Sequence, residues 1–178
     1  MKLLRTVRLD PSDTFVFERA AEPGEWAVSG AFAFWADDPS RLSGKARNAF
    51  RSGFLGIQSL GRSTLAQIVS AGADDRTYVV ETLARRLCES FGAPDMTAAR
   101  ASAEDEVAFV ESLCSQPQGT LIAVHRTHED GAVREQFRTL RPRDGRRPAR
   151  AFSFFEVEDE ETPVEDVDLI ALVERTRK

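Results

Sequence analysis

Hydrophobic and polar residues alternate from Leu3 to Leu9, with Leu3, Val7 and Leu9 on one side and Thr6 and Arg8 on the other, until "DPSD" breaks the pattern. A strand and a turn are predicted. "TFVFE" reads as a second strand, Pro23 and Gly24 suit a type II turn, and "WAVSGAFAFW" reads as a third strand, completing an N-terminal meander. That third strand is apolar on both faces, which predicts a central position with its small residues under a closely packed helix.

Asp38 and Pro39 fit the cap and first residue of a short helix running to Phe50. The following segment predicts one or two strands punctuated by Gly56 and Gly61, with its best core from Leu65 to Val69. A clear helix starts after Asp74 and Asp75, carries Val79, Leu83, Leu87 and Phe91 at every fourth position, and stops at Gly92 and Pro94. Asp95 caps the next helix, which buries Val107, Val110, Leu113 and Cys114 and makes an αα pair with the first.

The strongest local signal is "TLIAVHRTHEDGAVREQFRTL", two alternating runs around Asp130-Gly131, the preferred type I′ hairpin sequence. A two-residue loop sets the register. His128 then faces Val133, Arg126 faces Glu135, Val124 faces Phe137 and Ile122 faces Thr139 on the predicted buried side. Thr127 with Arg134, His125 with Gln136 and Ala123 with Arg138 form the other, cationic side. "ARAFSFFEVE" predicts one more strand, and "VEDVDLIALVERTRK" a C-terminal helix opening at Asp166 or Asp168, its final basic residues matching the helix dipole. The expectation is an α+β fold: a single mostly antiparallel sheet, meander plus hairpin, covered by two to four helices.

Composition narrows this further. The chain has 178 residues, 42% of them hydrophobic and 30% charged, which suits one globular domain over 1–178 with no linker. The net charge of −5 argues against nucleic acid as an obligate partner, leaving a nucleic-acid adaptor the weakest reading. Charges recur through the N-terminus, so neither a signal peptide nor a membrane span is expected. Cys88 and Cys114 share no ligand spacing and fit two core thiols in a cytoplasmic protein. Neither a cofactor nor a metal is expected.

Few motifs carry chemistry. "GRST" lacks the second glycine of a nucleophile elbow, so Arg62, Ser63 and Thr64 read first as a strand-entry turn, with a small hydrolase or transferase using them as the alternative. "SGKA" lacks the remaining elements of a phosphate loop and reads as a helix start. His125 and His128, the only histidines, fall on opposite faces of one strand and cannot share a metal ion. "AEDE", residues 103–106, points its three carboxylates in three directions and reads as a solvated helix surface. The aromatic residues read mostly as core.

The cationic face remains. His125, Arg134 and Arg138 on the hairpin continue into Arg141, Arg143, Arg146, Arg147 and Arg150, a set suited to bidentate contacts with phosphates or carboxylates. The opposing account lies in the same chain. Eight carboxylates between Glu156 and Asp168 can neutralise the arginines by folding back, or across a symmetric homodimer.

At "EWAVSGAFAFWADDP", "LSGKARNAFRSGFLGIQSLGRSTL" and "HRTHEDGAVREQFRTLRPR" the sequence resembles a small uncharacterised bacterial family classed as a domain of unknown function. The similarity runs over most of the chain and implies no activity, cofactor or catalytic residue. Relatives beside genes for molybdenum-enzyme assembly or lipoate-ligase-like proteins imply an accessory role, and the glycine-rich loop of such a ligase is missing here. The expected function is therefore that of a non-catalytic accessory or binding protein, recognising an anionic ligand or an acidic protein segment.

Overall fold

The computed structural model describes residues 1–142 and 155–158. Eight strands form one sheet in the order β4-β3-β2-β1-β5-β6-β7-β8, every neighbouring pair antiparallel. In chain order they are β1 (Lys2–Val7), β2 (Trp26–Val28), β3 (Phe54–Gly56), β4 (Arg62–Ser63), β5 (Leu65–Ser70), β6 (Leu121–Glu129), β7 (Ala132–Pro142) and β8 (Phe155–Glu158). Among the described residues four helices accompany them: α1 (Ser12–Val16), α2 (Gly44–Ser52), α3 (Ala73–Ser90) and α4 (Met96–Leu113). The α+β expectation holds.

The sheet must curl. Only Thr64 separates β4 from β5, yet the two stand four places apart in the strand order. A flat sheet would hold them about 19 Å apart, whereas two residues of chain span at most about 7 Å. Strands β4 and β5 are thus two halves of one bent strand, the first paired with β3 and the second with β1, and the five N-terminal strands wrap around a common interior. Leu4, Phe54, Ala66 and Ile68 share one face of these strands and Val28 and Leu55 the other, and all six are essentially without solvent contact.

The αα pair forms as predicted. Asp75 accepts a hydrogen bond from the Gly72 N–H at 2.9 Å and Asp95 from the Ala98 N–H at 2.8 Å, so each helix has its first turn fixed by a carboxylate. Ala99, Ala103, Val107 and Val110 of α4 recur every three or four residues on its buried face, and the small side chains let the helix approach the sheet closely.

One predicted strand does not form and another is shortened. "TFVFE" belongs largely to the single turn of α1, which turns polar Asp13 inward to accept from the Thr64 hydroxyl at 2.5 Å. The third strand ends at Val28, because Gly30 sits at φ +72°, a left-handed conformation that breaks the ladder and starts a 3-10 turn, Ala31–Phe34. Phe32 and Phe34 leave the strand alternation to pack edge-on against Phe91 and Phe50, with centroids 5.2 and 5.4 Å apart. Asp38 does cap, accepting from the Ser40 N–H, but it starts a 3-10 turn, Pro39–Arg41, and α2 begins only at Gly44. The segment after Phe50 yields three strands instead of one or two. Trp35 and Phe15, expected in the core, are each 74% exposed.

The hairpin register is the predicted one from Leu121 to Leu140, with Asp130 and Gly131 both at positive φ as a type I′ turn requires. Its predicted buried face is buried only in part. Ile122, Val124 and Arg126 are covered, whereas His128 and Val133 are exposed, because the tip overhangs the sheet. Strand β6 pairs with β5 only through Leu121, Ile122 and Ala123, and beyond them helix α2 packs against it. The predicted C-terminal helix lies outside the described residues.

Candidate anion-binding site

The overhang places charge where a strand edge meets a helix end. Arg126, on β6, has 1% of its surface exposed, and its guanidinium is fully engaged. Nε donates to Glu135 at 2.6 Å, Nη1 to the carbonyls of Phe50 and Gly53 at 2.9 and 3.0 Å, and Nη2 to the Ser29 carbonyl and hydroxyl. The Phe50 carbonyl belongs to the last turn of α2, so Arg126 supplies a donor that the helix end lacks. The Ser29 hydroxyl in turn donates to Glu135.

A second buried arginine lies nearby. Arg62 donates to the carbonyls of Gly30 and Gly53 at 3.3 and 3.2 Å and places its guanidinium over the Phe34 ring, 4.7 Å from the centroid. Burial, and then the charge of Arg126, bring Arg62 down to about 9, which still leaves it a cation at neutral pH. Burial also lowers Arg126, against the opposing pull of Glu135 and Glu106. Glu106, on α4, accepts from the Gly30 N–H at 3.1 Å. Burial pushes its carboxyl up, although the Gly30 N–H opposes this. The "AEDE" segment is therefore not simply a solvated surface: Glu106 turns inward, and Glu104 pairs with Arg76 at 2.7 Å.

Beside Arg126 a cavity of about 370 Å³ opens between the Pro39–Arg41 turn, the end of α2 and the outer part of β6. Pro39, Ser40, Arg47, Phe50, Arg51, Arg126, Thr127 and His128 line it. Arg47 and Arg51 are one helical turn apart and so share a face of α2. Arg51 forms no ion pair with any described residue. The imidazole of His125 is held below its usual value by burial first, then by the positive charges of Arg51 and Arg138. Asp38, next to Pro39 in the chain, is held below its ordinary value chiefly by the Ser40 hydroxyl and N–H, with a smaller pull from His128.

Of the residues singled out from sequence, Arg138 contributes to this positive field and His125 lies within it, and Thr127, across the ladder from Arg134, lines the cavity. Arg134 itself is turned toward Glu129 at 3.5 Å, both largely exposed. Arg141 lies in β7 opposite Glu156 of β8. Arg143, Arg146, Arg147 and Arg150 fall outside the described residues, as does most of the acidic segment.

Arg47, Arg51 and Arg126 are absent from the sequence-derived set. The i, i+4 spacing of Arg47 and Arg51 was readable, but their proximity to β6 depends on the curl of the sheet.

In the "GRST" segment, Ser63 is buried, with its hydroxyl 3.1 and 2.8 Å from the carbonyls of Val7 and Leu65. Thr64 binds Asp13 through both its N–H and its hydroxyl. Asp13 and Thr64 thus fasten the bend between β4 and β5 to α1. Among the described residues no three His, Cys, Asp or Glu side chains could hold a metal ion, and no helix is long and apolar enough to cross a membrane.

No curated protein and no solved structure matches the chain. Residues 1–154 match a family of unknown function, DUF6505, and the chain belongs to that family.

Proposed function

We propose that the protein is a non-catalytic binding protein that recognises a phosphate- or carboxylate-bearing ligand in the cavity between α2 and β6. The observation that carries this reading is the convergence of Arg47, Arg51 and His128 on one concave surface, with Arg138 adding positive potential beside it. Guanidinium groups bind such anions bidentately, and Arg126, whose donors are all engaged, holds β6 to the end of α2 and so fixes the wall of the cavity. A non-catalytic role is supported by the "GRST" hydroxyls, whose hydrogen bonds go to backbone carbonyls and to Asp13. Cys88 and Cys114 as free thiols support work in a reducing compartment, as expected of a cytoplasmic accessory protein.

Backbone amide NMR during titration with inorganic phosphate and pyrophosphate tests the proposal. Saturable shifts are expected at Arg51, Thr127 and His128, with Arg51→Ala weakening binding on the order of tenfold, the loss of one charge-assisted contact. Absence of saturation, or equal binding by Arg51→Ala and the parent protein, overturns it.

A further inference from the structure

A larger cavity, of about 570 Å³, opens between the Ala31–Phe34 turn and the corner joining α3 to α4. Its size is that of a small-molecule site. Phe32, Trp35, Leu87 and Phe91 supply apolar and aromatic walls, and its polar side is formed by Asp105 and Glu106. Among the described residues no lysine or arginine lines it.

The two carboxylates stand differently from the other acids of α4. Glu104 and Glu111 are both taken by Arg76, at 2.7 and 3.1 Å. Asp105 has no ion-pair partner among the described residues, and Glu106 has one oxygen on the Gly30 N–H. Phe32 and Phe91 meet edge to face at 87°, an arrangement that leaves a ring face for a guest, and Trp35 stands exposed beside them. Aromatic faces and carboxylates both attract cations, and the apolar walls favour a body that can be desolvated.

We infer that this pocket binds a small organic ammonium ion carried on an aromatic or branched apolar body, an arylalkylamine in chemical class. The ammonium sits between Asp105 and the aromatic faces, and the apolar body fills the space against Leu87 and Phe91. A cation there also offsets the burial, and to a smaller extent the Glu135 charge, that disfavour the ionised Glu106 carboxylate. This site shares no lining residue with the anion cavity, so failure of phosphate binding leaves it untouched.

The experiment is a titration of the intact chain with phenethylamine and, separately, with 3-phenylpropionate, a carboxylate of similar shape, followed by amide NMR and by tryptophan fluorescence. Saturable shifts at Phe32, Gly92 and Asp105 with the amine are expected, at millimolar concentrations for so small a probe. The carboxylate should bind at least about tenfold more weakly. Asp105→Asn and Trp35→Ala alter exposed side chains, so folding is preserved, and each should weaken amine binding about fivefold or more. No saturation by about 10 mM, equal affinity for amine and carboxylate, or parent-like binding by both variants overturns the proposal.

Discussion

Arg126 and Glu135 face each other across the β6–β7 ladder and meet at 2.6 Å, in a register set by the Asp130-Gly131 turn. A local turn thereby positions a guanidinium whose other partners, Ser29, Phe50 and Gly53, belong to the ends of β2, α2 and β3. Arg126→Met keeps the apolar stem but takes one donor from the Ser29, Phe50 and Gly53 carbonyls and from Glu135, of which Gly53 keeps Arg62 and Glu135 keeps the Ser29 hydroxyl. The expected loss is about 3–5 kcal/mol, measured as a fall in the urea midpoint at unchanged slope. The double variant Arg126→Met, Glu135→Leu should recover part of it, because it also removes the carboxylate that the single variant leaves unpaired. A single-variant loss below about 1 kcal/mol would show that the buried pair is not what closes the curled sheet.

Gly61 tests that closure from the other side. A Cβ there would lie 2.4 Å from the Ala20 carbonyl oxygen and 2.6 Å from the Ala21 nitrogen, both backbone atoms. The Arg19–Ala21 segment is hydrogen-bonded to Arg62 in both directions at 2.8 Å, so it cannot retreat without losing those bonds. Gly61→Ala is expected to cost about 2–3 kcal/mol by overpacking. Gly72→Ala, whose nearest contact would be 3.7 Å, should cost under about 1 kcal/mol. Equal losses in thermal or urea unfolding would rule out crowding as the cause.

Where a structural decision is local, the sequence expresses it. The αα pair needs only helical spacing and the Asp95 cap, and the hairpin needs only alternation and a turn dipeptide, so both are legible. The failures are long-range. Asp13 turns inward because Thr64 waits 51 positions away, and β2 stops at Val28 because the following phenylalanines find Phe91 and Phe50. The candidate site divides the same way. His125 and Arg138 belong to a readable face, whereas Arg47 and Arg51 reach it only because α2 occupies the place beside β6 that β5 vacates.

The two thiols should react differently. Cys114 is buried and its thiol is pushed up to about 11, mainly by burial, whereas Cys88 is only partly buried. A thiol in that range is almost entirely protonated at pH 8 and a poor nucleophile. Under native conditions a thiol-disulfide reagent such as DTNB is expected to titrate no more than one cysteine at pH 8, and two in denaturant. Two fast equivalents in the native protein would contradict the burial of Cys114.

His125 reports on the anion cavity through its own titration. Its folded-state value lies below the ordinary 6.5, so between that value and 6.5 the unfolded chain binds more protons than the folded one. Stability contributed by this group therefore increases with rising pH across that window and is constant above it. Arg51→Ala removes one of the two positive charges acting on the ring, so the imidazole should titrate higher and the pH slope should shrink. Inorganic phosphate bound beside the ring should act in the same direction by adding negative charge. Following the His125 Hε1 resonance against pH, with and without phosphate, checks both expectations. A value that stays fixed in Arg51→Ala, or falls when phosphate is added, would place the anion away from this face.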